Sequence, residues 1–309
     1  MQGWNVALVV PTLNAGGEWE RWLEAFRAQT FRPRHLLIID SGSQDKTVEL
    51  ALAHGFEVRR IPREDFDHGR TRQLGTEILK EADLLIYMTQ DAILAHPEAL
   101  ERLVETFGDS TVGVAYGRQL PRPGADPIES HARLFNYPSR SELRSQWDIA
   151  SKGLKAAFNS DSFSCYRRSA LEQIGGFPNR VILGEDVYVA AKMLLAGWRV
   201  AYVAEAQVYH SHSYTLGQEF KRYFDIGVFH ARERWIIEAL GKAEGEGLRF
   251  LCSEMTYLRQ KAPLKIPSAL LRTLLKYAAY RMGCLEHRMP QRLKRYLTMH
   301  KAFFTHERR

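Results

Sequence analysis

The sequence has few cysteines and no long apolar run, and each absence argues against a class of protein. Its 309 residues include only three cysteines, at positions 165, 252 and 284. An odd number without paired spacing argues against a disulfide framework and a structural zinc site. The N-terminus has no basic segment before its short apolar run, and no other run is long enough to cross a bilayer. We therefore expect a cytoplasmic protein without a membrane span.

The positive charge is concentrated near the C-terminus. The net charge is +7, but residues 261–309 hold twelve Lys and Arg against two Glu, a net +10, which leaves −3 for the rest. This basic part is rich in Leu, Tyr and Phe, which fits an anionic membrane surface better than nucleic acid. The alternative is that its amphipathic segments, 264–282 and 291–304, pack on the rest of the protein or form a dimer contact.

The first half of the chain alternates strand and helix patterns. Short apolar runs predict strands at 6–10, 35–39, 56–60 and 84–88, and the segments between them have helical spacing. This alternation predicts an α/β fold with a mostly parallel sheet flanked by helices. Residues 117–159 are broken by prolines, and we expect them to be irregular.

Polar residues follow three of the predicted strands. Thr12 and Asn14 follow the first, Asp40 ends the second, and Gln90 with Asp91 follows the fourth. Ligands bind beyond the carboxyl ends of parallel strands, so these residues are candidates for one shared site. Asp40 could accept hydrogen bonds from a base or a ribose. The alternative is a turn that caps the following helix.

Asp91 is the natural candidate for a metal ligand. A divalent cation held by a carboxylate offsets the charge of a diphosphate. The alternative is that Asp91 caps the helix predicted near Pro97. A single carboxylate is insufficient, and His210 and His212 are candidates for the second ligand. We expect only one of these histidines to reach the site, and we favour His212.

Two charged clusters begin predicted helices. Glu185 and Asp186 follow a glycine-containing loop and could include a general base that deprotonates a hydroxyl group. The alternative is that they complement the positive end of the helix dipole, and the residues alone do not decide between the two. Arg70 or Arg72, at the start of another helix, could contact phosphate or base.

Together these segments resemble the family 2 inverting glycosyltransferases, which have the A-type nucleotide-sugar fold. The resemblance covers roughly residues 5–215 and is carried by VVPTLNAG, IIDSGSQDKT, TQDA and LGEDVYVAAKMLLAGW. The stretches FDHGRTRQLG and VYHSHSYT are closest to the bacterial rhamnosyltransferases of cell-surface polysaccharide synthesis.

The resemblance implies a role for each matching residue. Asp186 would be the catalytic base, with Glu185 beside it, and Asp91 would bind the metal with a histidine of the H-S-H stretch. Leu13 stands where many members have an aromatic residue, and Gln90 where others have an acid. The residues that would hold the nucleotide sugar are Pro11, Thr12, Leu13, Asn14, Asp40, Ser41, Gly42, Arg72, Gln90 and Asp91.

The resemblance also implies the reaction and the organisation of the chain. It implies a single in-line displacement with Mg²⁺ or Mn²⁺, with dTDP-rhamnose as donor and a lipid-linked or growing cell-surface glycan as acceptor. A UDP-hexose is the alternative donor, and a non-catalytic nucleotide-sugar-binding subunit is the alternative function. Residues 1–216 would form the catalytic domain, with a nucleotide-binding half (1–116) and an acceptor-binding half (117–216). Residues 217–309 would be a basic helical region that holds the enzyme at the inner face of the cell membrane.

Overall fold

In a computed structural model that describes residues 3–242 and 245–305, these residues form a nine-stranded sheet flanked by helices. The strands are β1 Val6–Thr12, β2 His35–Asp40, β3 Glu57–Arg60, β4 Leu84–Met88, β5 Ile93–Leu94, β6 Val112–Leu120, β7 Glu142–Arg144, β8 Phe163–Arg167 and β9 Arg199–Tyr209. The helices of the first 200 residues are α1 Glu18–Arg27, α2 Thr47–Ala53, α3 His68–Ile78, α4 Ala99–Glu105, α5 Pro127–Asn136, α6 Ile149–Lys152, α7 Arg168–Gln173 and α8 Glu185–Leu195. The later helices are α9 Leu216–Arg232, α10 Arg234–Leu240, α11 Glu246–Lys261, α12 Ile266–Cys284, α13 Gln291–Leu297 and α14 Lys301–Thr305.

The first half of the sheet is parallel, as the alternating pattern predicts. β3, β2, β1 and β4 are neighbours in that order, and each pair is parallel. Residues of β1 alternate between two cores: Val6 and Leu8 belong to one, and Ala7 and Val9 to the other. A strand buried on both faces is apolar at every position, which explains the continuous apolar runs in the sequence.

The second half of the sheet is mixed. β8 lies between β4 and β6 and is antiparallel to both, while β6 and β9 are parallel. The α/β fold flanked by helices is confirmed, but local alternation did not indicate these antiparallel pairs. The expectation that residues 117–159 are irregular is partly wrong. Pro127 occupies the first turn of α5, where a proline favours the helix, and the Asp126 side chain caps its N-terminus.

The C-terminal helices pack on the rest of the protein. Phe224 and Val228 of α9, Ala279 of α12 and Phe304 of α14 belong to the same core as Val9 of the sheet. The predicted amphipathic segment 291–304 is two helices, α13 and α14, with an extended break between them. The packing that the sequence left as an alternative therefore exists for the inner faces of these helices.

Helices α9 and α12 approach each other closely because glycines face each other at their crossing. A Cβ atom on Gly283 would lie 2.0 Å from the backbone oxygen of Phe224, and one on Gly227 would lie 2.2 Å from that of Tyr280. Side chains larger than hydrogen have no room there. Across the two described stretches of chain, none of the helices combines the length and the hydropathy that crossing a bilayer requires.

Candidate active site

A cavity of about 1420 Å³ opens at the carboxyl ends of β1, β2 and β4. One side, which we call the sheet wall, consists of residues 11–13, Ser41 and residues 89–91. The opposite side, the helical wall, consists of Arg232 and residues 299–303. The cavity therefore lies where parallel sheets bind their ligands, but a distant part of the chain closes it.

The predicted nucleotide residues gather around the sheet wall. Asp40 is buried, and its carboxylate accepts hydrogen bonds from Thr12 Oγ1 (3.0 Å) and the backbone N–H of Ser43 (2.9 Å). The turn offered as the alternative for Asp40 thus exists, but it does not cap α2, whose N-cap residue is Lys46. A contact of Asp40 with a nucleotide stays a prediction. The predicted residues that line the cavity are Pro11, Thr12, Leu13, Ser41, Arg72, Gln90 and Asp91, and those that lie beside it are Asn14, Asp40 and Gly42.

Gln90 ties the ends of β4 and β1 together. Its Oε1 accepts a hydrogen bond from the Leu13 N–H (2.8 Å), and its Nε2 donates one to the Leu13 carbonyl (3.1 Å). A carboxylate could accept but could not donate, so only an amide makes both bonds. The glutamine at this position therefore joins the two strand ends in a way that an ionised acid could not.

Asp91, His210 and His212 form a cluster at the edge of the cavity. Asp91 Oδ1 lies 3.4 Å from His210 Nε2, and Asp91 Oδ2 lies 3.7 Å from His212 Nδ1. The expectation that only one histidine reaches the site is wrong. Both do, because residues two apart in an extended segment point to the same side. The capping alternative for Asp91 fails as well, since Glu98 is the N-cap residue of α4.

The hydrogen bonds around His210 fix its tautomer. His210 Nδ1 lies 2.9 Å from Gln119 Oε1, while Gln119 Nε2 donates to Ser160. Gln119 Oε1 also accepts from Arg133, so it faces the imidazole as an acceptor and His210 Nδ1 carries the proton. His210 Nε2 then presents its lone pair to Asp91. Burial lowers the pKa of His210 and lowers that of His212 to about 3, which favours neutral rings.

This arrangement fits a divalent cation. The ligand atoms of the three side chains all lie within 4.8 Å of one another. A neutral ring nitrogen and a carboxylate oxygen that face each other at 3.4 Å repel unless a proton or a cation lies between them. Burial disfavours the protonated ring, so a metal ion is the species that suits this donor set.

A second cluster joins the start of α8 to α3 and β8. Buried Arg72 forms ion pairs with Asp161 (Nε–Oδ2, 2.7 Å) and Glu185 (NH1–Oε1, 2.8 Å). Asp186 is half-buried and accepts hydrogen bonds from the backbone N–H groups of Asp161 (3.3 Å) and Val187 (2.8 Å). The sequence predicted that Arg72 would contact base or phosphate. The structure places it between two acids, although it also lines the cavity.

The charges of this cluster do not balance. Three carboxyl groups share one guanidinium, so full ionisation would bury an excess of negative charge. Burial, reinforced by the charges of Glu185 and Asp161, raises the pKa of Asp186 to about 8. A carboxyl group that holds its proton near neutrality and releases it in mildly alkaline solution has the pKa expected of a general base. Within the described residues, Arg72 lines the cavity and the three acids do not.

The sequence did not indicate three residues of this region. Asp161 comes just before a predicted strand, and its pairing with Arg72 depends on β8 lying beside β4. His68 Nδ1 lies 4.0 Å from Glu185 Oε1, and the His300 ring packs on that of His68 with 5.3 Å between centroids. Burial lowers the pKa of both histidines to about 3. The FDHG stretch was a possible signal for His68. His300 lies far along the chain, and no motif indicates it.

Asp225 of α9 anchors the helical wall. Its carboxylate accepts hydrogen bonds from Thr298 Oγ1 (2.6 Å) and from the backbone N–H of Met299 (2.9 Å). Asp225 is fully buried, and burial raises its pKa to about 6. The extended break between α13 and α14 is thus fixed by one buried side chain, and this places His300 in the cavity.

A second, shallower cavity of about 520 Å³ lies on the other side of the metal cluster. His212 lines it together with Arg122, Glu129 and Tyr214, while Asp91 lines the first cavity. The Arg122 guanidinium donates to the Asp91 carbonyl (2.8 Å) and pairs with Glu18 (3.2 Å). The cluster of Asp91, His210 and His212 therefore has a cavity on each side.

Comparison with known proteins identifies the class. In fold, the chain resembles a mannosyltransferase from Pyrobaculum calidifontis, solved with GDP-Man and Mn²⁺, with a TM-score of 0.56 and 18% identity over 95% of this chain and 84% of that one. It is 46% identical to the O-antigen chain rhamnosyltransferase RfbN of Salmonella typhimurium over 97% of this chain and 96% of the relative. It is 26% identical to the N-acetylglucosaminyl-diphospho-decaprenol L-rhamnosyltransferase of Mycobacterium tuberculosis over 69% of this chain and 78% of the relative.

The fold is that of the A-type glycosyltransferases, which confirms the expected architecture. The family described as glycosyl transferase family 2 matches residues 7–175. The chain belongs to this family and is a glycosyltransferase. The roles of individual residues remain predictions.

Proposed function

We propose that this glycosyltransferase moves rhamnose from dTDP-rhamnose to a hydroxyl group of a lipid-linked or growing cell-surface glycan, with inversion at the anomeric carbon. The observation that carries the proposal is the cluster of Asp91, His210 and His212 at the end of β4, where the diphosphate of a donor in the cavity would lie. The sugar follows from the 46% identity with an O-antigen chain rhamnosyltransferase over nearly the whole chain.

The metal cluster favours Mn²⁺ over Mg²⁺. Mg²⁺ prefers oxygen ligands in octahedral geometry, whereas two imidazoles and one carboxylate suit a transition metal. The fold relative from P. calidifontis was solved with Mn²⁺. In this chain Asp91, His210 and His212 would hold the ion. The bound ion would supply positive charge to the diphosphate as it departs.

Asp186 is the proposed base. Above its raised pKa it carries the negative charge that can accept a proton from the attacking hydroxyl group. Glu185 is paired with Arg72 at 2.8 Å, so it is committed to a partner and is less suited to proton transfer. Arg72 would then orient the acids, rather than contact the base or phosphate as the sequence suggested.

The acceptor is proposed from the relatives and from the size of the site. The mycobacterial relative is named for a sugar on decaprenyl diphosphate, and the Salmonella relative for the O-antigen chain. A cavity of about 1420 Å³ exceeds the ~1,000 Å³ that usually suffices for a small ligand, so it has room for more than the donor. A lipid-linked acceptor would bring the protein to the inner face of the cell membrane.

The test is a thermal-shift series with purified protein and Mn²⁺. dTDP-rhamnose should raise the melting temperature more than UDP-glucose or GDP-mannose, because a ligand that binds only the native state stabilises it. The variant Asp91→Ala should lose the metal-dependent part of the shift and the hydrolysis of dTDP-rhamnose. Equal shifts with every sugar nucleotide would refute the donor assignment. Hydrolysis by Asp91→Ala at the original rate would refute the metal site.

A further inference from the structure

Helix α12 has two faces of different character. Its inner face packs on α9 through buried Ala279 and Gly283, while buried Ala269 packs with Leu258 of α11. Lys276 also lies on this side, paired with Glu219 of α9 at 2.8 Å. The small residues and the ion pair hold α12 against the rest of the protein. The outer face of α12 is therefore not needed for this packing.

The outer face of α12 is apolar and open to solvent. Leu264, just before the helix, is 95% exposed, Leu274 is 67% exposed and Tyr277 is 62% exposed. Leu270 and Leu271 are also exposed. At 3.6 residues per turn these side chains fall on one stripe, opposite Ala279 and Gly283. A continuous row of exposed leucines, unlike a single one, marks a surface that meets an apolar partner.

Exposed cations lie at both ends of this stripe. Lys261 precedes it, Arg281 stands at its end, and Arg288 follows shortly after the helix. The Arg281 guanidinium donates to the Tyr277 hydroxyl (2.9 Å), which keeps the charge beside the apolar surface. An apolar stripe bordered by cations complements a lipid surface with anionic headgroups.

Helix α12 also lies next to the second cavity, through residues on the side of the helix opposite the stripe. Arg272 of α12 donates to the Tyr214 carbonyl (3.3 Å), and Lys265 pairs with Asp126 at 2.7 Å. Tyr214 lines the second cavity together with His212 of the metal cluster. The inner side of α12 thus borders the second cavity, and its outer face is left free for a partner.

We infer that the outer face of α12 docks on an anionic lipid bilayer, so that an acceptor anchored in that bilayer is held beside the enzyme. The inference rests on the proposed function only for the acceptor. The docking itself depends on the surface of α12. A second copy of the chain is the competing occupant, but basic ends on both copies would repel each other.

The experiment measures flotation of the full chain with vesicles of phosphatidylcholine alone or mixed with phosphatidylglycerol. We expect strong binding to the mixed vesicles and at least ~10-fold weaker partitioning of the double variant Leu271→Glu/Leu274→Glu, since buried apolar area drives interfacial binding. Leu52→Glu is the matched control, because Leu52 is a 56% exposed leucine on α2. It should bind like the unmodified chain.

A charge variant separates the two contributions. Lys261→Gln/Arg281→Gln should reduce binding to the anionic vesicles and leave the weak binding to phosphatidylcholine unchanged. Unchanged flotation of the leucine variant would overturn the inference. So would a dimer of the unmodified chain in light scattering that the leucine variant dissociates. Hydrolysis of dTDP-rhamnose by the same preparations tests the proposed function separately, because it needs no vesicle.

Discussion

The two walls of the main cavity are built in different ways. The sheet wall is formed by the ends of neighbouring parallel strands. The two hydrogen bonds between Gln90 and Leu13 join two of these ends. The helical wall is an extended break between two short helices, and Asp225 holds it from α9. One wall therefore follows from the pairing of β1 with β2 and β4, whereas the other exists only when the C-terminal helices have packed. This difference predicts that substitutions on the sheet side change chemistry and those on the helical side change stability.

The largest expected effect is on the proposed base. Asp186→Asn keeps the shape of the side chain but removes its charge, so transfer should fall by ~10²–10⁴-fold while dTDP-rhamnose still binds. In the unmodified enzyme, kcat/KM for transfer should rise with pH through about 8 and then level off, because Asp186 must lose its proton to act. The measurements are transfer rates and donor affinity for both proteins across this pH range.

Glu185→Gln is the matched variant for this comparison. It removes one of the two acidic partners of Arg72 but leaves Asp186 ionisable, so transfer should fall less. The rise of the pH profile should move to lower pH, because the charge of Glu185 helps to raise the pKa of Asp186. Near-normal transfer by Asp186→Asn together with an inactive Glu185→Gln would assign the base to Glu185 instead.

The sequence predicted the sheet wall well because its signals are local. Four apolar runs located β1 to β4, and the polar residues after them converge at one edge. The histidines His210 and His212 reach Asp91 because β5 pairs with the end of β9, with Ile93 opposite Tyr209. Asp161 and His300 could not be predicted, because their contacts depend on the insertion of β8 and on the docking of the C-terminal segment. The role of the basic residues 261–309 was predicted from their charge. Only the structure distinguishes the packed faces of these helices from the exposed ones.

The second prediction concerns the anchor of the helical wall. Burial raises the folded-state pKa of Asp225 to about 6 from an ordinary value of 3.8. The contribution of this pKa shift to the free energy of unfolding is thus fully present below about pH 4. It is lost as the pH rises through 6. Its size is up to ~3 kcal/mol, since one pKa unit corresponds to ~1.4 kcal/mol.

Asp225→Asn does not titrate, so it tests this directly. The free energy of unfolding of the unmodified protein minus that of the variant should decrease between about pH 4 and pH 8. Urea unfolding at several pH values measures it. Because Asp225 does not itself line the cavity, transfer by the folded variant should change less than its stability. A pH-independent difference would show that Asp225 is already ionised in the folded protein.

The smallest expected effect concerns the hydrogen bonds behind the metal cluster. Gln119 Oε1 accepts a hydrogen bond from the N–H group at His210 Nδ1, and this points the lone pair of Nε2 at Asp91. Gln119→Leu removes this acceptor without touching the metal ligands, and a lost outer contact of this kind weakens metal binding by ~10–100-fold. Calorimetric titration with Mn²⁺ in the absence of donor measures the affinity apart from activity. Gln146→Leu, at an exposed glutamine far along the chain from the cluster, should bind Mn²⁺ normally. If Gln119→Leu bound Mn²⁺ as tightly as the unmodified chain, His210 would not depend on this tautomer, and the hydrogen-bond network behind the cluster would serve only the packing of β6 against α5.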